Sequence, residues 1–273
     1  MYKAKESGRN QIHFYHNSMQ RDADQRLQIE SGLRMALNND DFQLNYQPQV
    51  NATGKVIGAE ALIRWTHPEL GAISPDKFIP VAEECGLIVP IGDWVLSTGL
   101  KQLKEWKQQG YTGHMAINIS PRQFFHADFT QNVLMHINKH GIKPEWVMLE
   151  ITEGLVLDNV DKAIEIMNTL KSHGFKFSID DFGTGYSSLS YLKRLPIDEL
   201  KIDKSFVEDI TTDPDDAIIV ATIIAMAVNL GLSVIAEGVE QESELNFLKE
   251  KGCHNYQGYY FSKPVPAENF PLN

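Results

Sequence analysis

The sequence predicts an α/β protein, a modified (β/α)8 barrel of the TIM type whose first strand is antiparallel to the second. Three observations carry that expectation. From Phe42 onward, short apolar runs alternate with helix-like segments, the pattern of a mainly parallel sheet. Two strand-like runs near the start are joined by the turn Asn51-Ala52-Thr53-Gly54, which reads as an antiparallel hairpin. The 273 residues, 42% of them hydrophobic, match the size that barrels reach as one unit. A chain of this length buries roughly 75% of its unfolded surface, enough for one large core. An open doubly wound sheet is the competing architecture, but no GxGxxG turn supports it.

In chain order, Gln20–Asn38 reads as a helix, with Leu27, Ile29, Leu33, Met35 and Leu37 apolar and Asn38-Asn39-Asp40-Asp41 ending it. Phe42–Val50 and Val56–Trp65 are the hairpin strands. Helices are predicted at Pro75–Glu84 and Pro90–Gln108. The remaining strands are His114–Ile119, Val147–Ile151, Phe175–Ile179, Glu199–Ile202, Ser233–Ala236 and Tyr256–Tyr260. Helices Val160–Ser172, Ala217–Leu230 and Glu242–Glu250 fill most of the gaps.

Charge and composition exclude several classes. The net charge is −11, so the chain lacks the basic face with which proteins grip a nucleic-acid polymer. An anionic substrate would need local cations, placed Arg and Lys side chains or bound ions. No apolar run approaches the roughly 20 residues of a membrane span, and the polar start, Met1 to Asn10, carries no signal peptide. Cys85 and Cys253 form no CxxC pair, so the expected compartment is the cytoplasm, the cytoplasmic portion of a membrane-attached protein included.

The polar residues at the strand ends carry the chemistry. They are Glu60, Asn118, Glu150, Asp180 with Asp181, Lys201, Glu237 and Gln257. In barrel enzymes the active site lies at the carboxyl ends of the strands, with residues drawn from several of them. Carboxylates and an amide are hard oxygen ligands that suit Mg²⁺ or Mn²⁺. Any one of these alone reads more simply as a helix cap or a solvated loop residue. Asp180-Asp181 before Gly183 could be a turn, and Lys201 a surface lysine. The repetition is the signal, because converging carboxylates repel one another unless a cation offsets them.

Seven motifs then appear in order. They are Glu60-Ala61-Leu62, Asn118-Ile119-Ser120, Glu150-Ile151-Thr152-Glu153, Asp180-Asp181-Phe182-Gly183-Thr184-Gly185-Tyr186-Ser187-Ser188, Leu200-Lys201-Ile202-Asp203, Ala236-Glu237-Gly238-Val239-Glu240, and Gln257-Gly258-Tyr259 with Ser262-Lys263-Pro264. Together they resemble the EAL domain, the phosphodiesterase module that opens the bacterial second messenger cyclic di-GMP. The match runs from about Leu27 to Pro266. Met1 to Asn10 resembles the closing helix and turn of a GGDEF (diguanylate cyclase) domain, with an arbitrary helical tail as the alternative. The implied organisation is a GGDEF-like remnant at 1–15, the start of a linker helix at 16–26, and the EAL domain at 27–273.

The resemblance implies roles residue by residue. Glu60, Asn118, Glu150 and Asp180 would hold one Mg²⁺ or Mn²⁺, and Asp180, Asp181 and Glu237 a second, with Asp180 bridging. Lys201 would hold the attacking water or offset transition-state charge. Glu237 is a second-ion ligand or a general base, and both readings stay open. Glu60, Lys201 and Glu237 are thus the catalytic candidates. Arg64, on the loop leaving its strand, would bind phosphate, with Gln47, Pro121, Arg122, Asp203, Glu240 and Gln257 as further substrate contacts; surface, turn or rim positions are the plainer readings. Glu153 would tie down the loop after Asp181. The implied activity is hydrolysis of cyclic di-GMP to linear pGpG, with a non-catalytic cyclic di-GMP sensor and a generic metal-dependent barrel as alternatives. The family also implies a homodimer and upstream GGDEF or sensor domains.

Overall fold

The computed structural model describes residues 17–39, 41–184 and 189–272. Its sheet holds nine strands: β1 (Phe42–Asn51), β2 (Val56–His67), β3 (Gly71–Ile73), β4 (His114–Asn118), β5 (Val147–Thr152), β6 (Lys176–Phe182), β7 (Glu199–Ile202), β8 (Ser233–Ala236) and β9 (Asn255–Tyr256). Eight of them close a barrel in the order β1-β2-β4-β5-β6-β7-β8-β9, with β9 pairing back to β1. Every pair from β2–β4 to β8–β9 is parallel, whereas β1 is antiparallel to both its neighbours. The predicted antiparallel first strand is therefore present. Its turn is built by Asn51, whose Oδ1 accepts from Thr53 N, Thr53 Oγ1 and Lys55 N at 3.0, 2.7 and 3.0 Å.

The longer helices are α1 (Asn17–Asn39), α2 (Pro75–Glu84), α3 (Ile88–Gln108), α4 (Phe129–His140), α5 (Glu153–Asp158), α6 (Val160–Ser172), α7 (Pro214–Leu230) and α8 (Glu242–Glu250). Their starts are chemically marked. Pro75 opens α2, and the Asp213 side chain accepts from Asp215 N ahead of α7. Gln241 and Glu244 form a reciprocal capping box on α8. Ile29, Leu33 and Ala36 bury the face of α1, which packs against α2.

Alternation along the strands separates two environments. Ala59, Ala61, Ile117, Leu149, Ile151, Phe177, Ile179, Leu200 and Ile202 are buried and form the face covered by helices, where a Cβ placed on Gly99 of α3 would come into contact with Ile117, Leu44 and Ala61. Each such large aliphatic contributes about 1.5–3 kcal/mol by burial. The residues between them, Glu60, Asn118, Glu150, Asp180 and Lys201, point the other way, into the barrel.

Four expectations need correction. Tyr256–Tyr260 is not a strand; pairing stops at Tyr256, because Gly258 packs so tightly on the Val239 backbone that a Cβ there would collide with it. β6 does not end at Ile179 but runs through Asp180 and Asp181 to Phe182, with an irregularity before Phe182 pairs with Ile202. Glu60 does not end its strand: parallel pairing with β4 stops at Ala61, but β2 continues in the hairpin to His67. Arg64 consequently lies within β2, opposite Gln43, not on a loop. The short β3 was not foreseen; three residues give no periodicity to read. The proposed GGDEF-like remnant at 1–15 lies outside the described residues, as do Gly185, Tyr186, Ser187 and Ser188.

Candidate active site and metal centre

The centre of the barrel mouth is Lys201, a side chain with no solvent exposure. Its Nζ lies 2.8 Å from Glu237 Oε1, 3.0 Å from Glu150 Oε2, 3.1 Å from Asp180 Oδ1 and 3.7 Å from Glu60 Oε2. Four strands and the segment after β8 thus deliver one ammonium and four carboxylates to one point. Burial opposes the lysine's charge, but Asp180, Glu150, Glu237 and Glu60 outweigh it and hold Lys201 protonated. Burial pushes the proton affinity of Glu150 and Glu237 well up, against the pull of Lys201.

Two groups of carboxylates each bring their oxygens within 4.8 Å of one another: Glu60, Glu150 and Asp180, and Asp180, Asp181 and Glu237. Asp180 belongs to both. Asn118 Nδ2 donates to Glu60 Oε1 at 2.6 Å, joining the first group. The donors fit a divalent cation. They are hard oxygens, one ammonium leaves their negative charge in excess, and Glu150 Oε1 is buried with no hydrogen-bond partner among the described residues.

Asp181 has a left-handed backbone, φ 53°, which turns the chain sharply after Asp180. Burial, then Asp180, then a hydrogen bond with Asp203 raise its pKa to about 6. Asp203 is held below the ordinary carboxylate range: burial acts against this and is outweighed by hydrogen bonds from the Ser205 side chain and backbone. Behind the turn, buried Glu153 opens α5, and its Oε2 accepts from Gly183 N at 3.3 Å. Its other oxygen, Oε1, has no partner among the described residues.

On the far side of Glu60 lies a ladder of amides. Gln257 Nε2 donates to Glu60 Oε2 and, at 3.1 Å, to Gln47 Oε1. Gln47 Nε2 donates to Ser262 O at 3.1 Å.

Two cavities flank the centre. One, of about 340 Å³, is lined by Gln47, Glu60, Arg64, Asp181, Asp203, Glu237, Glu240 and Gln257. The other, of about 280 Å³ and mostly apolar, is lined by Ile79, Ile91, Val95, Asn118, Ile119 and Pro121, among others. Leu62 and Arg64 line both. The structure therefore brings together every residue proposed for the metals, and Gln47, Arg64, Asp203, Glu240 and Gln257 around one cavity. Pro121 lines the second cavity. Arg122 lines neither; it is exposed and donates to Glu84 O at 3.4 Å. Lys204, Glu208 and Tyr259 also line the first cavity and were not foreseen. Tyr259 belongs to the quoted Gln257-Gly258-Tyr259 motif and Lys204 directly follows the Leu200-Lys201-Ile202-Asp203 motif, whereas Glu208 lies outside the quoted motifs.

Comparison with known proteins agrees with this geometry. The family model described as the EAL domain matches residues 30–264. The bifunctional diguanylate cyclase/cyclic di-GMP phosphodiesterase MucR of Pseudomonas aeruginosa is 44% identical over 270 residues, 98% of this chain and 39% of that protein. The cyclic di-GMP phosphodiesterase PdeR of Escherichia coli is 41% identical over 275 residues, 99% of this chain and 41% of that protein. The chain thus spans well under half the length of these relatives. A solved structure of the PaMucR phosphodiesterase in complex with c-di-GMP superposes with a TM-score of 0.86 at 44% identity, covering 88% of this chain and 98% of that one.

Proposed function

The chain belongs to the EAL domain family, and from that premise we propose that it hydrolyses cyclic di-GMP, opening one phosphodiester to leave linear pGpG. The observation that carries the proposal is the pair of carboxylate groups sharing Asp180 around buried Lys201. Two divalent cations, Mg²⁺ or Mn²⁺, would be held there, one by Glu60, Asn118, Glu150 and Asp180, the other by Asp180, Asp181 and Glu237. When bound, such ions acidify the attacking water and neutralise charge on phosphate.

The chain's own residues supply the rest. Lys201 holds the carboxylates at fixed separations and places a positive charge where transition-state charge builds. Glu237, with its raised proton affinity, serves as a second-ion ligand or accepts the proton of the water. Arg64 stands where the two cavities meet, and its planar fork suits a phosphate oxygen pair. A ligand with two base-bearing halves about a phosphate-sugar ring matches two cavities joined at one arginine. Gln47, Asp203, Glu240 and Gln257 contact it on the larger side and Pro121 on the apolar side. Arg122 would have to leave Glu84 to take part. Among the described residues no helix is long and apolar enough to cross a membrane. Homodimerisation and upstream GGDEF or sensor domains belong to the same proposal.

The test is turnover of cyclic di-GMP, and of a simple phosphodiester, with Mg²⁺, Mn²⁺, Ca²⁺ or chelator. The expected result is pGpG formed with Mg²⁺ or Mn²⁺ only, no turnover in chelator, and loss of activity in Glu60→Ala with the circular dichroism unchanged. Tight binding of cyclic di-GMP without turnover under any metal would replace the enzyme with a sensor. Faster cleavage of the simple diester would replace the substrate.

A further inference from the structure

Glu60 is oriented by Gln257, and something must orient Gln257. A primary amide presents a carboxylate with its NH2 end, because the carbonyl end would repel it. Gln257 faces Glu60 Oε2 and Gln47 Oε1 with that end, so its carbonyl oxygen points away and needs a donor. Gln49 Nε2 meets it at 3.1 Å. Gln49 is fully buried and lies two residues from Gln47 on the same face of β1. Its space is reserved by Gly58, its partner in register on β2, where a Cβ would collide with Gln49 Oε1 and the ring of His114. His114 is the other register partner of Gly58, on β4.

We propose that Gln49 is a positioning residue for the first metal group: by donating to the Gln257 carbonyl it fixes the amide that holds Glu60 in its ligand orientation. This deepens the two-ion reading and rests on it. Without the Gln49 donor, the Gln257 amide keeps its bonds to Glu60 and Gln47 but loses the one to its carbonyl oxygen, so its orientation is held less firmly. Half a turn about its terminal bond would aim an oxygen at Glu60 and push that carboxylate off its position. The effect reaches the metal only through Gln257.

The test measures Mn²⁺ affinity by the electron paramagnetic resonance of free Mn²⁺, alongside kcat and KM, for Gln49→Leu, Gln257→Leu and the double variant. Gln49→Leu is expected to weaken Mn²⁺ binding at the site containing Glu60 and lower kcat by about tenfold at most, the range of one lost buried hydrogen bond, with KM little changed. The double variant should be no worse than Gln257→Leu alone, because coupled residues are non-additive. Additive losses would overturn the proposal. So would unchanged Mn²⁺ affinity in Gln49→Leu.

A second variant covers the case in which Gln49→Leu folds poorly. In Gln49→Glu the introduced carboxyl donates to Gln257 only when protonated, so its Mn²⁺ affinity relative to wild type should recover as pH falls from 8 to 6. Electrostatic attraction alone would give the opposite trend, and observing that trend rejects the positioning role. Failure of wild type to bind Mn²⁺ at all would reject the two-ion reading, a result distinct from either of these.

Discussion

Lys201 shows how much of the site a single residue organises. Its ammonium lies within 3.7 Å of four carboxylates, which without it would repel one another in a buried space. Removing one partner of a buried ion pair costs about 3–5 kcal/mol, because the remaining charge is left uncompensated. Lys201→Met is therefore expected to lower the metal-free melting temperature by several degrees and to abolish turnover, with Mn²⁺ restoring much of the lost stability by replacing the missing charge. A melting curve with and without Mn²⁺ checks this; equal destabilisation in both would show that the carboxylates are not the cause. Arg64 is tested by affinity. Arg64→Ala should weaken cyclic di-GMP binding at least tenfold while leaving Mn²⁺ binding intact, the order of a lost charge-assisted contact of roughly 1.5–3 kcal/mol. Arg64→Lys should recover only part, since a point charge cannot reproduce a fork. Unchanged calorimetric affinity would remove Arg64 from the phosphate site. At this scale the clustering of the carboxylates was legible, because acidic residues recur after successive apolar runs. Gln49 was not: one amide in a strand carries no signal until the register sets it beside Gln257.

The elements that matter most are β6 and α5. Asp180 and Asp181 stand at the irregular end of β6, and the turn after them is tied to α5 by Gly183 N donating to Glu153. A hydrogen bond to a charged acceptor contributes about 1.5–3 kcal/mol, enough to change a turn's population by more than tenfold. Glu153→Ala should thus reduce affinity at the group containing Asp181 and lower turnover, while the group containing Glu60 keeps its ion. Glu153→Gln, which keeps an acceptor, should retain more activity. Identical Mn²⁺ titrations for Glu153→Ala and wild type would reduce Glu153 to a helix-start residue. The strands themselves were readable where period and turn chemistry agreed, as in the Asn51 turn and at Glu199–Ile202 and Ser233–Ala236. The stretch after Tyr256 misled because its aromatics suit a strand, whereas the close approach of Gly258 to the Val239 backbone is tertiary and leaves no local mark.

For the molecule as a whole, the proposed action of an acidic chain on an anionic substrate requires cations at the barrel mouth. The net charge of −11 is unfavourable for phosphate at long range. Arg64 and Lys201 supply positive charge at the mouth, and Lys201 is already engaged by carboxylates. On the proposed reading, bound divalent ions would resolve that imbalance, and the shared Asp180 would place two of them side by side. The direct measurement is anomalous diffraction at the manganese edge from crystals grown with Mn²⁺. Two peaks are expected roughly 3.5–4 Å apart, one against Glu60, Asn118 and Glu150, the other against Asp181 and Glu237, with Asp180 touching both. A single peak, or peaks away from Asp180, would contradict the two-ion site.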